Sequence, residues 1–289
     1  MAARARTRLG VLGRPVAHSR SPAIHNAALA AAGLRGWRYQ LLPVAPELFE
    51  EVVRALPEAG FAGANVTIPH KRAALALATT ATARARAIGA ANTLVFGAAG
   101  AIAADNTDAP ALVAALPVAA VDATALVLGA GGSARAAVWA LLDAGATRVA
   151  VWNRTPARAR ELARELGAVA VERAHGADLL VNCTAVGLDG SSPFDRLPVT
   201  AGDLSSYRCV VDLVYAPGGT ELIAQARARG LGAVDGLQLL VGQGALSFEQ
   251  FTGVRPSIDA MRAAAADGGV APSEASRGAA VDDSYRPAT

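Results

Sequence analysis

Lys71 is the only lysine in a chain whose Lys and Arg residues together number 27. Every other cation is arginine, which keeps its proton at any working pH, whereas an amine can release one and take it back. A lysine kept against that background points to proton chemistry; the plainer reading is a stray surface residue. Its neighbours favour chemistry. In Asn65-Val66-Thr67-Ile68-Pro69-His70-Lys71, residues 65 and 67 alternate along an extended run and face one way. Pro69 cannot donate to a strand ladder and ends the run, so Lys71 follows as the chain turns. An amide, a hydroxyl and an amine thus converge, a set suited to a small polyhydroxylated or carboxylated ligand.

Two other stretches carry groups of this kind. Asp108, in Asn106-Thr107-Asp108, reads either as the cap of a helix over 109–116 or as a carboxylate that holds an amine in place and tunes its hold on a proton. Ser19 and Ser21, in His18-Ser19-Arg20-Ser21-Pro22, are either turn and cap residues of a helix starting at Pro22 or a pair of hydroxyls aimed at a ligand. His18, His25, His70 and His175 have no HxxH or HExxH spacing, so no metal site is expected.

A second kind of chemistry lies further along. The apolar run 124–128 leads into Gly129-Ala130-Gly131-Gly132-Ser133-Ala134 and then a helical stretch to Leu142. This is G-x-G-x-x-A after a strand and opening a helix, where glycines let backbone N–H groups approach a pyrophosphate at the helix N-terminus. The next strand, 148–152, ends in Asn153-Arg154-Thr155. An NAD site would place an acid here, roughly 20 residues after the glycines, for the ribose 2′-hydroxyl. No acid is present. Arg154, with Arg158 a helical turn beyond, offers a cationic pocket for a 2′-phosphate, so the expected cofactor is NADP; otherwise these are two exposed arginines at a helix start. Ligands of open α/β sheets sit beyond the carboxyl ends of strands, which sets Thr184, Leu213 and Gly236 beside the nicotinamide.

Strand–helix alternation supplies the frame. Strands over 9–12, 37–42 and 63–67 alternate with helices over 22–32, 46–56 and 81–88, which predicts a mainly parallel sheet. The expected division is a substrate-binding catalytic domain over 1–110, completed by 238–266, and an NADP-binding Rossmann-like domain over 117–237. Its closing helix, 237–251, carries Gln243 and returns to the first domain; 267–289 reads as a disordered tail. The 289 residues are long enough for two full cores, and the hydrophobic fraction of 53% is largely alanine, with 4% aromatics. Net charge is +3, but the arginines are scattered, so no nucleic-acid partner is expected. No apolar run reaches the ~18 residues of a membrane span, and the basic 2–8 segment lacks a following apolar region, so neither a membrane anchor nor a signal peptide is expected. Cys183 and Cys209 form no CxxC pair and read as buried free thiols in a reducing cytoplasm.

Taken in order, these motifs resemble those of the shikimate dehydrogenase family over essentially all of residues 8–264. The matching pieces are His18 to Pro22, Asn65 to Lys71, Ala91-Asn92-Thr93, Asn106 to Asp108, Gly129 to Ala134, Asn153 to Thr155, Asn182-Cys183-Thr184 and Gln243-Gly244. The resemblance implies a two-domain α/β fold and NADPH-dependent reduction of 3-dehydroshikimate to shikimate, on the route to chorismate and the aromatic amino acids. It implies Lys71 and Asp108 as the catalytic pair, with Ser19, Ser21, Asn65, Thr67, Asn92, Tyr215 and Gln243 around the substrate. It is compatible with a monomer or a homodimer. Leu188 and Leu240 stand where the family often has Met, and Ala109 or Ala111 where it often has Gly, changes that touch packing near the nicotinamide. A sister activity on quinate or an aminoshikimate, and a non-catalytic NADPH-binding sensor on the same fold, are the alternatives.

Overall fold

The structure, a computed structural model, describes residues 7–216 and 218–267; the expected tail over 268–289 lies outside the described residues. The chain opens with β1 (Arg8–Gly13), buried over all but its first residue. Helix α1 (Ser21–Ala31) follows with proline in its first turn, where the fixed φ suits a helix start and the missing N–H costs nothing. Next come β2 (Arg38–Pro43), α2 (Phe49–Ala55) and β3 (Phe61–Val66). Helix α3 (Lys71–Ala76) and the two-residue β4 (Thr80–Ala81) precede α4 (Ala83–Ile88). The side chain of Thr82 caps α4 by accepting from Ala85 N, and Gly89 ends it at φ +72°, a left-handed position that glycine adopts freely. β5 (Thr93–Phe96), β6 (Ile102–Asp105) and α5 (Asp108–Ala115) complete the first half.

These strands form one sheet in the order β2-β1-β3-β5-β6-β4. It is mainly parallel, as the strand–helix alternation predicts, with one exception: β5 runs antiparallel to both β3 and β6. The physical reason is the connection. Only Gly97 to Ala101, a single tight turn, joins β5 to β6, and so short a link can only return the chain antiparallel.

The second half is a parallel, doubly wound unit. It contains β7 (Thr124–Leu128), α6 (Gly132–Asp143), β8 (Arg148–Trp152), α7 (Pro156–Leu166) and β9 (Val169–Ala170), then β10 (Leu179–Asn182), β11 (Cys209–Asp212), α8 (Glu221–Ala228) and β12 (Gly232–Val234). Their order is β12-β11-β10-β7-β8-β9. Winding reverses between β7 and β10, which leaves a crevice beyond the carboxyl ends of those strands.

Two last helices tie the halves together. Asp235 caps α9 (Gly236–Thr252) by accepting from Gln238 N, and α9 then runs back to pack on α1, α5 and β3. Gly63 makes that seat possible: a Cβ there would meet the Phe251 ring and lie 2.7 Å from the Leu94 carbonyl oxygen. α10 (Ile258–Ala266) lies along α1 and α9, with the Arg20 guanidinium donating to the Ala265 carbonyl. The resulting core joins Leu9 and Tyr39 of the first sheet and Ile24 of α1 to Phe248 and Met261 of the returning helices. Among the described residues no helix is long and apolar enough to cross a membrane. Cys183 and Cys209 are free and buried.

Candidate active site

A cleft of about 190 Å³ opens between the two sheets. Its walls bring together side chains from the ends of β3, β5, β6 and β11, the loop before α1, and α9. Lys71 sits at the first position of α3, just past the cis Ile68–Pro69 peptide. Its Nζ donates to Asp108 Oδ2 at 2.6 Å and to Ser133 Oγ at 2.9 Å. Asp108 is the first residue of α5 but not its cap; the Asn106 side chain accepts from Ala109 N instead. That frees the Asp108 carboxylate for the cleft. Its second oxygen accepts from Asn92 Nδ2 at 2.8 Å.

Asn92 is the centre of the polar floor. Its Oδ1 accepts from Thr107 N at 2.7 Å, and its Nδ2 is also near Gln243 Oε1 at 3.3 Å. The two Asn-Thr pairs thus interlock where β5 begins and β6 ends, and α9 contributes Gln243 from across the fold. Asn65, buried at the end of β3, accepts from Tyr39 OH at 2.8 Å and donates to the Asn92 carbonyl at 3.2 Å. Thr67 lines the cleft but lies one residue past the strand. Ser19 and Ser21 also line it, with their Oγ atoms 3.2 Å apart. Neither caps α1: the cap position is Arg20, without a side-chain hydrogen bond. Tyr215 reaches over from the second sheet and its OH accepts from Arg20 N at 3.4 Å.

The glycine-rich turn faces this cluster. Gly129, at φ +113°, makes the sharp exit from β7, and a Cβ there would press on the Cys183 carbonyl at 3.2 Å. At Gly131 a Cβ would meet nothing within 4 Å, so open space lies at the cap of α6, where unpaired N–H groups of a helix start favour an anion. Ala130, Gly131 and Gly132 line a second cavity of about 380 Å³ with Arg72, Arg135 and Arg158; Ala134 is buried behind the turn. Asn153, Arg154 and Thr155 stand at the end of β8, with Asn153 Nδ2 donating to the Thr155 carbonyl, and they line neither cavity. Thr184, Leu213 and Gly236 line the first cavity beside Leu188 and Leu239. An open helix start, exposed arginines and no acid at the end of β8 fit a phosphorylated dinucleotide.

Local electrostatics support the wall on the nucleotide side. Burial pushes the Asp212 carboxyl up to about 6, although Thr220, Val214 N and Asn182 all donate to it. These three bonds fix the loop that presents Leu213 and Tyr215. Burial also raises the Tyr215 phenol and pushes the Cys183 thiol far up, so the thiol lining the cleft stays protonated and inert.

The sequence reading missed part of the support beneath the floor. Tyr39, Ser247 and His25 join Thr93 and Thr107 of the two Asn-Thr motifs in a buried polar layer under Asn65 and Asn92. The only sequence signal for those three was polar residues inside otherwise apolar strands and helices. Among the described residues no group of His, Cys, Asp and Glu could hold a metal ion.

Known proteins give the same picture. Three family models match successive parts of the chain: the shikimate dehydrogenase substrate binding domain over 11–94, shikimate / quinate 5-dehydrogenase over 114–185, and the shikimate 5′-dehydrogenase C-terminal domain over 236–266. The chain is 46% identical over 263 residues to the NADP(+) shikimate dehydrogenase of Paracoccus denitrificans, covering 86% of this chain and 92% of that protein. It is 49% identical, over the same shares of both chains, to that of Methylobacterium radiotolerans. Among solved structures, the shikimate 5-dehydrogenase of Thermus thermophilus in complex with NADP(H) and shikimate superposes with a TM-score of 0.79 at 41% identity, over 90% of this chain and 99% of that one. Likeness over nearly the whole length, joined to a cleft in which the sole lysine meets a carboxylate opposite a dinucleotide-binding turn, makes this chain a member of the shikimate dehydrogenase family.

Proposed function

We propose that this chain reduces 3-dehydroshikimate to shikimate with NADPH, reversibly, in the pathway to the aromatic amino acids. The observation that carries this reading is the Lys71–Asp108 pair, 2.6 Å apart at the floor of the cleft between the two sheets. Residues 1–110 with 238–266 form the substrate domain, and 117–237 the nucleotide domain. NADPH, when bound, supplies the hydride. The backbone of Gly129 to Ala134 would hold its pyrophosphate, Asn153, Arg154, Thr155 and Arg158 would hold its adenosine 2′-phosphate, and Thr184, Leu213 and Gly236 would lie beside its nicotinamide.

The chain's own residues manage the proton and the fit. Lys71 donates a proton to the oxygen that becomes the new hydroxyl, and its positive charge stabilises that oxygen as negative charge builds there. Asp108 holds the amine by one oxygen, and Asn92 fixes the carboxylate through the other. Asn65, Thr67, Asn92 and Gln243 bind the ring hydroxyls; Ser19, Ser21 and Tyr215 take the ring carboxylate. Two buried free thiols support work in the cytoplasm.

A substrate panel read at the NADPH absorbance tests the proposal. Shikimate with NADP⁺ is expected to turn over at least about tenfold faster, by kcat/KM, than quinate or an aminoshikimate; a pocket built to pair a given set of hydroxyls discriminates at least that well. Preference for quinate would move the assignment to the sister activity. No turnover of any of the three, with NADP⁺ binding intact, would make the chain a sensor.

A further inference from the structure

The glycine-rich turn does more than face a cofactor. Ser133, in the first turn of α6, points its Oγ at Lys71 Nζ at 2.9 Å. The next glycine back, Gly132, has no side chain for a related reason: a Cβ there would sit 2.7 Å from Lys71 Cβ and 3.0 Å from its Cδ. One bond and one steric fit, from adjacent residues of the nucleotide domain, therefore form the second wall of the lysine's pocket. The Lys71 side chain is 10% exposed, so the turn and Asp108 enclose it almost completely.

The chemistry of the three groups gives this wall a role. An ammonium has three N–H donors, and a carboxylate only accepts. Asp108 takes one donor and Ser133 a second, which leaves the third for the cleft. After Lys71 has passed a proton to the substrate oxygen, the neutral amine gains a lone pair. Asp108 has no hydrogen to offer it, but a hydroxyl both accepts and donates. Ser133 can accept from the ammonium and then turn to donate to the amine. We propose that Ser133 is a positioning residue for Lys71, aiming its third N–H into the cleft and following it through both protonation states. The backbone of the turn serves the cofactor while the Ser133 side chain serves the proton donor. Because the bond joins the two domains, it exists only when the turn and α3 lie as close as they do here. This inference rests on the dehydrogenase reading above.

Ser133→Ala and Ser133→Thr test it, with three measurements on each. The first is the rate at which a succinimidyl ester acylates Lys71 in ligand-free protein, read by mass spectrometry; no other side-chain amine competes, and the N-terminus falls in a separate peptide. The second is kcat and KM for shikimate at saturating NADP⁺. The third is NADP⁺ affinity by calorimetry. In Ser133→Ala the labelling rate is expected to rise about threefold or more and kcat to fall about tenfold, the scale of one hydrogen bond to a charged group. KM and NADP⁺ affinity are expected to stay within about twofold, and Ser133→Thr to restore both labelling rate and kcat. Labelling at the wild-type rate in the Ala variant overturns the proposal. So does an unchanged kcat, a loss confined to NADP⁺ affinity, or a Thr variant no better than Ala. If the wild type itself turned over no shikimate, the functional reading would fall, and the ligand-free labelling would still decide whether Ser133 holds Lys71.

Discussion

Arg154 and His25 show how differently single residues were exposed to reading from sequence. Arg154 is proposed for the 2′-phosphate because it stands where an NAD enzyme would need an acid. Its variant Arg154→Ala is expected to weaken NADP⁺ binding by about 1.5–3 kcal/mol, roughly tenfold to a hundredfold, with little change for NAD⁺; calorimetry with both cofactors checks it, and equal losses would remove the arginine from the 2′-phosphate site. His25 carried no signal beyond failing a metal pattern. It lies fully buried, stacked on Tyr39 at 4.1 Å, with Nδ1 against the Ser21 carbonyl at 2.9 Å. Burial lowers it from 6.5 to about 4, so the folded protein holds it neutral where the unfolded chain would protonate it. Its contribution is fully present above pH 6.5 and is lost as pH falls towards 4, by about 3 kcal/mol in all. Asp212, raised from 3.8 to about 6, works in the opposite sense, since its contribution is lost as pH rises through that range. Denaturant unfolding of wild type and His25→Gln from about pH 4 to about pH 7 separates them: the variant is expected to lose less stability on acidification by about that amount, and equal slopes would show that His25 is not the group that titrates.

Elements were readable where local chemistry announces their ends. Gly89 and Gly167 stop α4 and α7 in left-handed conformations, and the run 148–152 is β8 to the residue. The six-residue α3 and the two-residue β4 and β9 are too short for any periodicity to show. The reversed β5 was hidden because pairing direction is set by connection length and sheet position, not by the strand's own residues. The return of α9 was visible as a long helix after the nucleotide unit, but its seat was not. That seat depends on Gly63, under the ring of Phe251. Gly63→Ala is expected to cost about 1–3 kcal/mol through overpacking, and to raise KM for shikimate as α9 shifts Gln243. Denaturant midpoints and steady-state kinetics check both; a fully stable variant with normal KM would mean that α9 has another way to dock.

At the scale of the whole molecule, two sheets meet over a polar cleft, one apolar cluster runs from Ile88 and Leu112 of the first half into the second, and a buried arginine helps to set their distance. Arg135, on α6, donates through Nε to the Ile88 carbonyl at the end of α4 and pairs with Glu165 of α7 at 2.6 Å. It fills the space that a side chain at Gly89 would need. The Glu165 carboxylate is held below its usual range chiefly by that bond. Arg135→Met, which leaves a carbonyl and a carboxylate without their donor, is expected to cost about 1–3 kcal/mol in denaturant unfolding; a neutral result would show that the two domains hold their distance without it. The two-domain plan was legible because the glycine motif and the lysine motif sit in separate strand–helix runs, but how the two halves approach was not, since it depends on contacts such as Gly132 against Lys71. On the proposed reading, that approach sets a proton donor at the floor of the cleft beside the hydride site, and one variant tests it most directly. Lys71→Arg keeps the charge and adds donors but cannot release a proton at working pH. At saturating shikimate and NADP⁺ its kcat is predicted to fall by roughly 10²–10⁴-fold, the scale of general acid–base catalysis, with NADP⁺ affinity unchanged. Near-normal kcat in Lys71→Arg would contradict the account, reducing Lys71 to a fixed positive charge and moving the proton transfer to another group.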